Sequence, residues 1–469
     1  MLYASIKAFT SEGRALFSSE EGTVATLGQK VSQFVYDLKL SDIPEDVIKK
    51  GKTCLINGIG IGMANRNRPS GKAALELIKK YEPGRDATLV GDGGKASLMG
   101  AAFANAVMFH ARGQEDTHGT SHLGTTVIPS VLALSEYTGA SGKDFLLSVI
   151  IGYEVAASLG RELTAFSTAR GFRASSIYGI LGVAAAASKI LGYGVRQIKD
   201  ALGMAAAFAG GTTETFLAGS MEWNFENGVA ARNGIMAALL AEFGMPGADS
   251  SLDGPVGFCS AFAGTRERLD RITEGLGKRY EIRNVTFKPY PACAFNQTPL
   301  IAMRNLITRH DLKPEHVERI EIRMNSYEAN YPGIKYLGPF QTEVQCLMSA
   351  AFCMAVFLID RKFYLSDASR FDDPRILSLC KVTKVIDDES IGPLGCRLTI
   401  GLKGGQELKE VMDITPEYYF YDIEKVIKVM ETIHEETGVP PSVTRGLMKE
   451  IKAVETWPNV RNLTALFSF

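Results

Sequence analysis

The stretch from Val24 to about Gly277 constrains the fold of this chain more than any other, because several of its windows are apolar on every side of a helix. Ala101–Phe109, Ile128–Tyr137, Phe145–Gly160, Tyr178–Leu191 and Ala230–Phe243 are rich in Ala, Leu and Met, are separated by glycine and polar breaks, and show almost no strand alternation. A helix without a polar face has to lie inside a larger assembly of helices, and small residues at this density let neighbours approach closely. One many-helix domain is therefore predicted over residues 1–280. Gly192, Gly194 and Gly244 are natural helix stops within it. The segment Val47–Ala64 has a marked start, with Asp42 or its neighbour as cap, Pro44 at an early helical position, and Glu45 and Asp46 at the positive end of the dipole.

Beyond Gly277 the pattern changes. Val317–Met324 nearly alternates apolar and charged residues, as a half-buried strand does. Cys396–Lys403 places Leu398, Ile400 and Leu402 on one face, and Gly404-Gly405 offers a hairpin turn into Gln406–Met412. With a helix at Val344–Leu358 and a strand at Lys381–Ile386, residues 281–416 read as a smaller α+β domain. Residues 417–469 return to helix, over Asp422–Glu436 and Ser442–Val454, with Ser442 as cap of the second. No internal repeat or low-complexity tract appears.

Several function classes are excluded at this level. The 469 residues carry 51 Lys plus Arg against 52 Asp plus Glu, so no long-range field draws the chain to nucleic acid or an anionic membrane. Its longest apolar run, Ala350–Ile359, is about half the roughly 20 residues of a membrane helix. The opening Met1–Phe17 carries Lys7 and Arg14 without a secretory apolar core, and reads as an ordinary terminus or a short organelle-targeting segment. The seven cysteines never approach CxxC spacing and mostly sit in apolar runs, which suits a reducing compartment: the cytoplasm, or the mitochondrion of a eukaryotic source.

Three of the six histidines, His110, His118 and His122, fall within HARGQEDTHGTSHLGTTVIP, beside Glu115, Asp116, Thr117 and several hydroxyls. Imidazole is the usual proton carrier near neutral pH, and a polar loop between two apolar helices is either a site held by a rigid scaffold or a solvated connector. Asp116, His118 and His122 have the chemistry of metal ligands, but Gly119, Gly124 and the threonines argue against the helix that would align them, and no other histidine-rich segment completes a set. No metal and no cofactor is expected. Gly91–Ser97 fails phosphate-loop spacing, and no dinucleotide fingerprint follows a strand. In Phe287–Cys293, Pro289 and Pro291 stiffen the junction of the two domains, where Lys288 can hold a carboxylate and Tyr290 lies beside it. Arg173 precedes the helix Tyr178–Leu191, which Ser175 or Ser176 caps. Trp223 and Glu226 precede the helix containing Arg232.

The ordered segments IPEDVIKKGKTCLINGIGIGMA, DTHGTSHLGTTVIPSVLALSE, IYGILGVAAAASKILGYG, NGVAARNGIMAALLA and FKPYPAC resemble the MmgE/PrpD family over nearly the whole chain. The resemblance implies a mainly α fold: a large all-helical domain, built from the N-terminal part and the C-terminal end, with a smaller α+β lid inserted between them, usually in a homodimer. It implies metal-free proton transfer next to a carboxylate. It also implies that Asp116 and Thr117 orient the reacting groups, His122 acts as general acid or base, and Lys288 clamps a carboxylate.

This chain departs from the family's decarboxylase-like pattern at named positions. Gly113 stands where that pattern has an Asp, Arg173 replaces its second histidine, and Trp223 and Glu226 replace a lysine and a nearby histidine. The lid tyrosine has no secure match, although Tyr327 and Tyr331 lie close. Arginine does not deprotonate and only binds anions, and Trp223 makes its wall more apolar. The departures therefore speak for a substrate with fewer carboxylates and more hydrocarbon. The expected activity is a lyase of the dehydratase or decarboxylase type on a small carboxylate, with Arg173, His118, Trp223, Glu226, Tyr290 and Tyr327 at the substrate. An isomerase or epimerase using the same abstraction, with Glu115, Glu222 or Glu226 as second base, and a non-catalytic binding protein are the alternatives.

Overall fold

The computed structural model describes residues 25–469; the Met1–Phe17 stretch lies outside the described residues. The helices of the first part are α1 (Leu27–Asp37), α2 (Glu45–Ala64), α3 (Pro69–Tyr81), α4 (Leu98–Phe109), α5 (Gly124–Thr138), α6 (Gly142–Ala169), α7 (Ala174–Ile190), α8 (Val195–Phe208) and α9 (Trp223–Glu242). Every residue of α5 from Gly124 to Ser135, of α6 from Phe145 to Gly160 and of α7 from Ala174 to Ser188 is buried, as the missing polar faces require. Packing is close where α6 crosses α7: a Cβ built on Gly182 falls 2.5 Å from the carbonyl oxygen of Gly152. Only glycine fits there.

Local signals fare unevenly. Pro44 is the residue before α2 and supplies no side-chain cap, while Asp42 closes a separate 3₁₀ turn. Arg173, not Ser175 or Ser176, stands at the cap of α7, because the helix begins earlier than its apolar run. A ribbon of two strands, β1 (Pro83–Thr88) and β2 (Lys95–Ala96), surrounds the glycine turn before α4. Its text, PGRDAT, lacks the alternation that announces a strand.

The second part holds α10 (Gln297–His310), α11 (Ala350–Asp360) and α12 (Pro374–Lys381) against strands β3 (Val317–Met324), β4 (Thr383–Asp387), β5 (Cys396–Leu402) and β6 (Glu407–Met412). The sheet order is β4-β3-β5-β6, with β3 and β4 parallel and the other pairs antiparallel. The last helices are α13 (Ile423–Thr437) and α14 (Pro441–Lys452). The α14 helix is preceded by Pro440, and Ser442 lies inside its first turn, so the expected cap is replaced by a proline-started helix.

Two large hydrophobic cores organise the described residues, and a small third one lies between α2 and α13. Of the large two, one joins α1 to α9 with residues of α13, α14 and the chain end, and the other is built on the second part but takes in Phe216 and Trp223. We propose 1–280, 281–416 and 417–469 as the domain division, with Ile282, Val285 and Phe287 still packed in the first core. The chain leaves the first core through residues 285–290 and returns through 416–420, and the two passages are tied by Phe287 N–H donating to the Tyr419 carbonyl at 3.0 Å. Lys50 of α2 anchors the exit by donating to the Val285 carbonyl at 2.6 Å, with its ammonium 4.6 Å from the Phe287 ring centroid. The α13 helix docks on α2, where His434 Nε2 meets the Gly60 carbonyl at 2.9 Å. No helix among the described residues is long and apolar enough to cross a membrane.

Candidate active site

The polar loop between α4 and α5 is held from both sides. Thr117 and Thr286 exchange backbone hydrogen bonds of 2.9 and 2.8 Å, which fastens the loop to the exit strand two residues before Lys288. His118 and Ser121 exchange another pair at 2.9 and 3.0 Å, making a tight turn. That turn sends the two neighbouring histidines to different places. His122 reaches the cavity between the two cores, whereas His118 points away and meets Glu281 at 3.1 Å, within a cluster that includes Arg161.

This cavity has a free volume of about 60 Å³, room for a few waters. It brings together Thr117, His122, Arg173, Trp223 and Lys288 from distant parts of the sequence, together with His110. Its remaining wall is apolar, with Phe216, Phe295, Leu347 and Met348 prominent. The other sequence candidates lie elsewhere. Asp116 is behind the wall, its carboxylate accepting from the Tyr153 hydroxyl and from Gly124 N–H. Glu226 accepts from Thr212 N–H at 2.8 Å and lines a separate groove at the start of α9. Tyr290 packs edge-on against Phe357, and Tyr327 is 45% exposed while Tyr331 faces the cavity in its place. For His118, Glu226, Tyr290 and Tyr327, proximity along the chain to a cavity residue does not put the side chain there.

The hydrogen bonds fix the state of each group. His122 Nδ1 faces the Asp116 carbonyl oxygen at 3.0 Å, and a carbonyl only accepts, so the proton sits on Nδ1 and Nε2 keeps its lone pair. Burial, then Lys288, His110 and Arg173, holds the His122 pKa well below the usual histidine value, so the ring is neutral. Asp116 thus orients His122 through its backbone, while burial lifts its own carboxyl to about 6. Lys288 donates to the Gly113 carbonyl at 2.7 Å, and burial lowers its pKa while Glu115 opposes the shift. Gly113 adopts a left-handed φ of 72°, which aims that carbonyl at the ammonium.

His110 caps the end of α4, buried beside His122 with ring centroids 5.0 Å apart. Its Nδ1 faces Glu115 Oε2 at 3.5 Å and its Nε2 faces Arg173 Nη2 at 3.1 Å. Glu115 is buried and its Oε1 accepts from the backbone N–H groups of Arg112 and Gly113. Burial would raise this carboxyl, but His110, Lys288 and the backbone outweigh it and hold it ionised. Four buried polar atoms of cavity-lining residues lack a hydrogen-bond partner, His110 Nδ1, Thr120 Oγ1, Arg173 Nε and Trp223 Nε1, and so does Glu115 Oε2 just behind them. Unpartnered polar atoms are uncommon in folded interiors, and several of those in this molecule face this cavity.

His110, Glu115 and His122 are also the grouping with the spacing of metal ligands among the described residues, their donor atoms lying within 4.8 Å. The donor set does not suit a cation. Arg173 and Lys288 place two positive charges beside it, and His122 Nδ1 is committed as a donor to Asp116. The surroundings favour an anion.

Family models decide what this scaffold is. The MmgE/PrpD N-terminal domain matches residues 29–268 and the MmgE/PrpD C-terminal domain matches residues 290–415. The chain belongs to the MmgE/PrpD family. Among relatives, a cis-aconitate decarboxylase of Aspergillus terreus is 25% identical over 424 residues, covering 84% of this chain and 86% of the relative. The cis-aconitate decarboxylases of Mus musculus and Homo sapiens are each 26% identical, covering 81% of this chain and 80% and 81% of theirs. As an MmgE/PrpD protein the chain has the mainly α fold with a smaller α+β domain expected from its motifs. Gly113, Arg173 and Trp223, three of its departures from the decarboxylase-like pattern, all line the cavity.

His110 and the apolar wall are what sequence reasoning missed as site components. For His110 the available signal was an imidazole ending an otherwise apolar helix at the edge of the polar loop. Phe216, Phe295, Leu347 and Met348 carry no such signal, since each reads as ordinary core.

Proposed function

We propose that this MmgE/PrpD protein is a lyase that removes water or carbon dioxide from a small carboxylate by metal-free acid and base proton transfer. The observation that carries this reading is one buried cavity combining a neutral imidazole, His122, with two cations, Lys288 and Arg173. A carboxylate paired with those cations has its neighbouring C–H acidified, because charge developing on the carboxylate oxygens is stabilised. His122 Nε2 accepts or returns the proton, and Thr117 and the Asp116 carbonyl hold the geometry. The decarboxylase names of the relatives support the lyase class.

Substrate enters between the two cores, and their closure on it excludes water. The apolar wall at Phe216, Trp223 and Phe295 favours an acid with one or two carboxylates and a hydrocarbon or ring portion over a tricarboxylate. A homodimer and a cytoplasmic or mitochondrial setting belong to the same proposal; the free state of all seven cysteines suits the latter. An isomerase or epimerase reading draws support from one feature, the second imidazole in the cavity, since return of a proton to another face needs a second carrier.

The test is proton NMR in heavy water with cis-aconitate, malate and alkyl- or phenyl-substituted succinates and malates, comparing native protein with His122→Ala. Deuterium entering one acid with native protein alone, followed by unsaturated or shortened product, supports the lyase. Exchange without a change of skeleton supports the isomerase. No exchange with any acid refutes both.

A further inference from the structure

We propose that His110 is a second proton carrier of this site, the general acid that works opposite the base His122, with Glu115 as its positioning residue. The inference rests on the acid and base reading above and deepens it. It starts from the hydrogen bonds. A guanidinium has no lone pair, so at 3.1 Å Arg173 Nη2 donates to His110 Nε2, which must be the unprotonated nitrogen. The ring proton is then on Nδ1, facing Glu115 Oε2 at 3.5 Å. That oxygen and Nδ1 are both buried without a hydrogen-bond partner, and His110 Nδ1 is nearer to the oxygen than His122 Nδ1 is.

The charged alternatives for a second carrier are out of reach or committed elsewhere, and burial raises the hydroxyl of Tyr331, which faces the cavity, well above the usual tyrosine value. Glu222 and Glu226 line the separate groove at the start of α9, and Glu115 stands behind His110 with its other oxygen engaged by two backbone donors. Lys288 is held on Gly113, and Arg173 does not deprotonate. His110 lines the cavity beside His122 and is edge-on to Trp223, with centroids 4.7 Å apart, so its reactive edge is held in direction.

The two rings differ in what faces them, and that difference assigns their roles. Glu115 Oε2 lies nearer to His110 than to His122, at 3.5 against 3.9 Å, and His122 spends its Nδ1 proton on a neutral carbonyl. A carboxylate stabilises imidazolium where a carbonyl does so weakly. In the resting protein burial first, and then Arg173 and Lys288, oppose a charge on His110, while Glu115 favours it. When a substrate carboxylate engages the guanidinium, that part of the opposition falls, Nε2 is released from Arg173, and His110 takes a proton from solvent as the ligand enters. The step then balances. The C–H bond beside the clamped carboxylate breaks, its electron pair enters the carbon framework, and the proton goes to His122 Nε2. The departing hydroxide, or the carbon left by carbon dioxide where no C–H is broken, receives the proton of His110 Nε2. Exchange with water resets both rings.

The experiment uses the full chain, His110→Gln and Glu115→Gln, with the acid that exchanges deuterium in the native protein. Glutamine keeps an acceptor for Arg173 but carries no transferable proton of suitable acidity. His110→Gln is expected to retain wash-in of deuterium at the substrate C–H, catalysed by His122, while product formation falls by about 10² to 10³, the range of one general acid. Glu115→Gln is expected to lower kcat with KM little changed and to move the basic limb of its pH profile to lower pH. A merely structural role would not produce that split. Product formation by His110→Gln within about threefold of native overturns the proposal, as does activity removed by a chelator and restored by zinc or iron. If His110→Gln fails to fold, an unchanged pH limb in Glu115→Gln overturns it instead. Silence of the native protein with every acid refutes the lyase reading and this inference together, whereas exchange in native protein with an unaffected His110→Gln refutes this one alone.

Discussion

Replacing Lys288 with methionine separates binding from stability, because the native ammonium is buried with only one hydrogen bond, to the Gly113 carbonyl at 2.7 Å. Burial lowers its pKa, which means the charged form is held at a cost that Glu115 only partly offsets. Methionine fills the same volume without a charge to desolvate, but it leaves the Gly113 carbonyl unpaired, a loss of about 1 to 3 kcal/mol. The relieved desolvation is of the same order, several kcal/mol per buried ion before compensation. Folding stability of Lys288→Met is therefore expected within about 1 kcal/mol of native, or above it. The substrate, by contrast, loses a charge-assisted hydrogen bond of about 1.5 to 3 kcal/mol, a reduction in kcat/KM of roughly 10- to 150-fold. Differential scanning calorimetry and NMR progress curves measure the two quantities on one preparation. A fall in Tm of more than about 5 °C with kcat/KM retained would refute the argument, since Lys288 would then be a bolt between the cores rather than a ligand for an anion.

The α6–α7 crossing should tolerate no side chain: Gly182→Ala puts a Cβ 2.5 Å from the Gly152 carbonyl oxygen and is expected to destabilise by about 1 to 3 kcal/mol, read by urea denaturation. Glu154 is buried and its carboxyl is pushed by burial to about 8, although it accepts from Glu281 and Ile282 N–H at 2.8 Å each. A carboxyl raised above its unfolded value of about 4.4 stabilises at low pH and loses that contribution as pH rises toward 8. Stability is thus expected to decline between pH 6 and 8 by up to about 1.4 kcal/mol per unit from this group, and Glu154→Gln should flatten the slope while costing one backbone hydrogen bond. Because burial holds His122 neutral, kcat/KM should show no loss from this base between pH 7 and 6; a pKa near 6.5 in that limb, abolished in His122→Ala residual activity, would contradict the assignment. Trp223→Lys adds a cation to the apolar wall and is expected to shift preference toward more carboxylated acids, seen as a higher ratio of kcat/KM for cis-aconitate over phenylsuccinate.

The helices were legible because burial on all sides leaves its mark in every residue of the window, as from Ala174 to Ser188. Their ends were less so. Ser175, Ser176 and Ser442 have the chemistry of caps, but tertiary packing started each helix before them, and Ser175 instead accepts from His122 N–H at 2.9 Å. In the site, Lys288 and His122 were readable from their motifs, one on a proline-stiffened strand and one ahead of an apolar helix. The hydrogen bonds that give His110 its tautomer were not, since they join it to Arg173, 63 positions away. His118 lies away from the cavity because a tight turn, invisible in composition, reverses the loop between it and His122. Tyr327 lies within a single helical turn, Ser326–Ala329, and Tyr331 two residues beyond it; of the two, Tyr331 lines the cavity.

The departures from the family pattern make physical sense as a set. Arg173 donates to His110 and lies 4.9 Å from the centroid of Phe216, so its guanidinium is fixed between a base and an aromatic face. A lysine in place of Trp223 would add a third cation beside Arg173 and Lys288, where the indole now packs on His110 and belongs to the apolar core with Phe216. Arginine at one position and tryptophan at the other therefore accommodate each other. They leave two cations against the Glu115 carboxylate, a net charge that a single substrate carboxylate balances. This counts against the non-catalytic reading. A protein using the fold only as a scaffold has no reason to retain a buried ammonium on one carbonyl and a buried carboxylate oxygen with no partner, because each subtracts from folding stability and an apolar replacement would remove the penalty. The buried charges of Arg173 and Lys288 line the cavity, and the Glu115 carboxylate stands directly behind them.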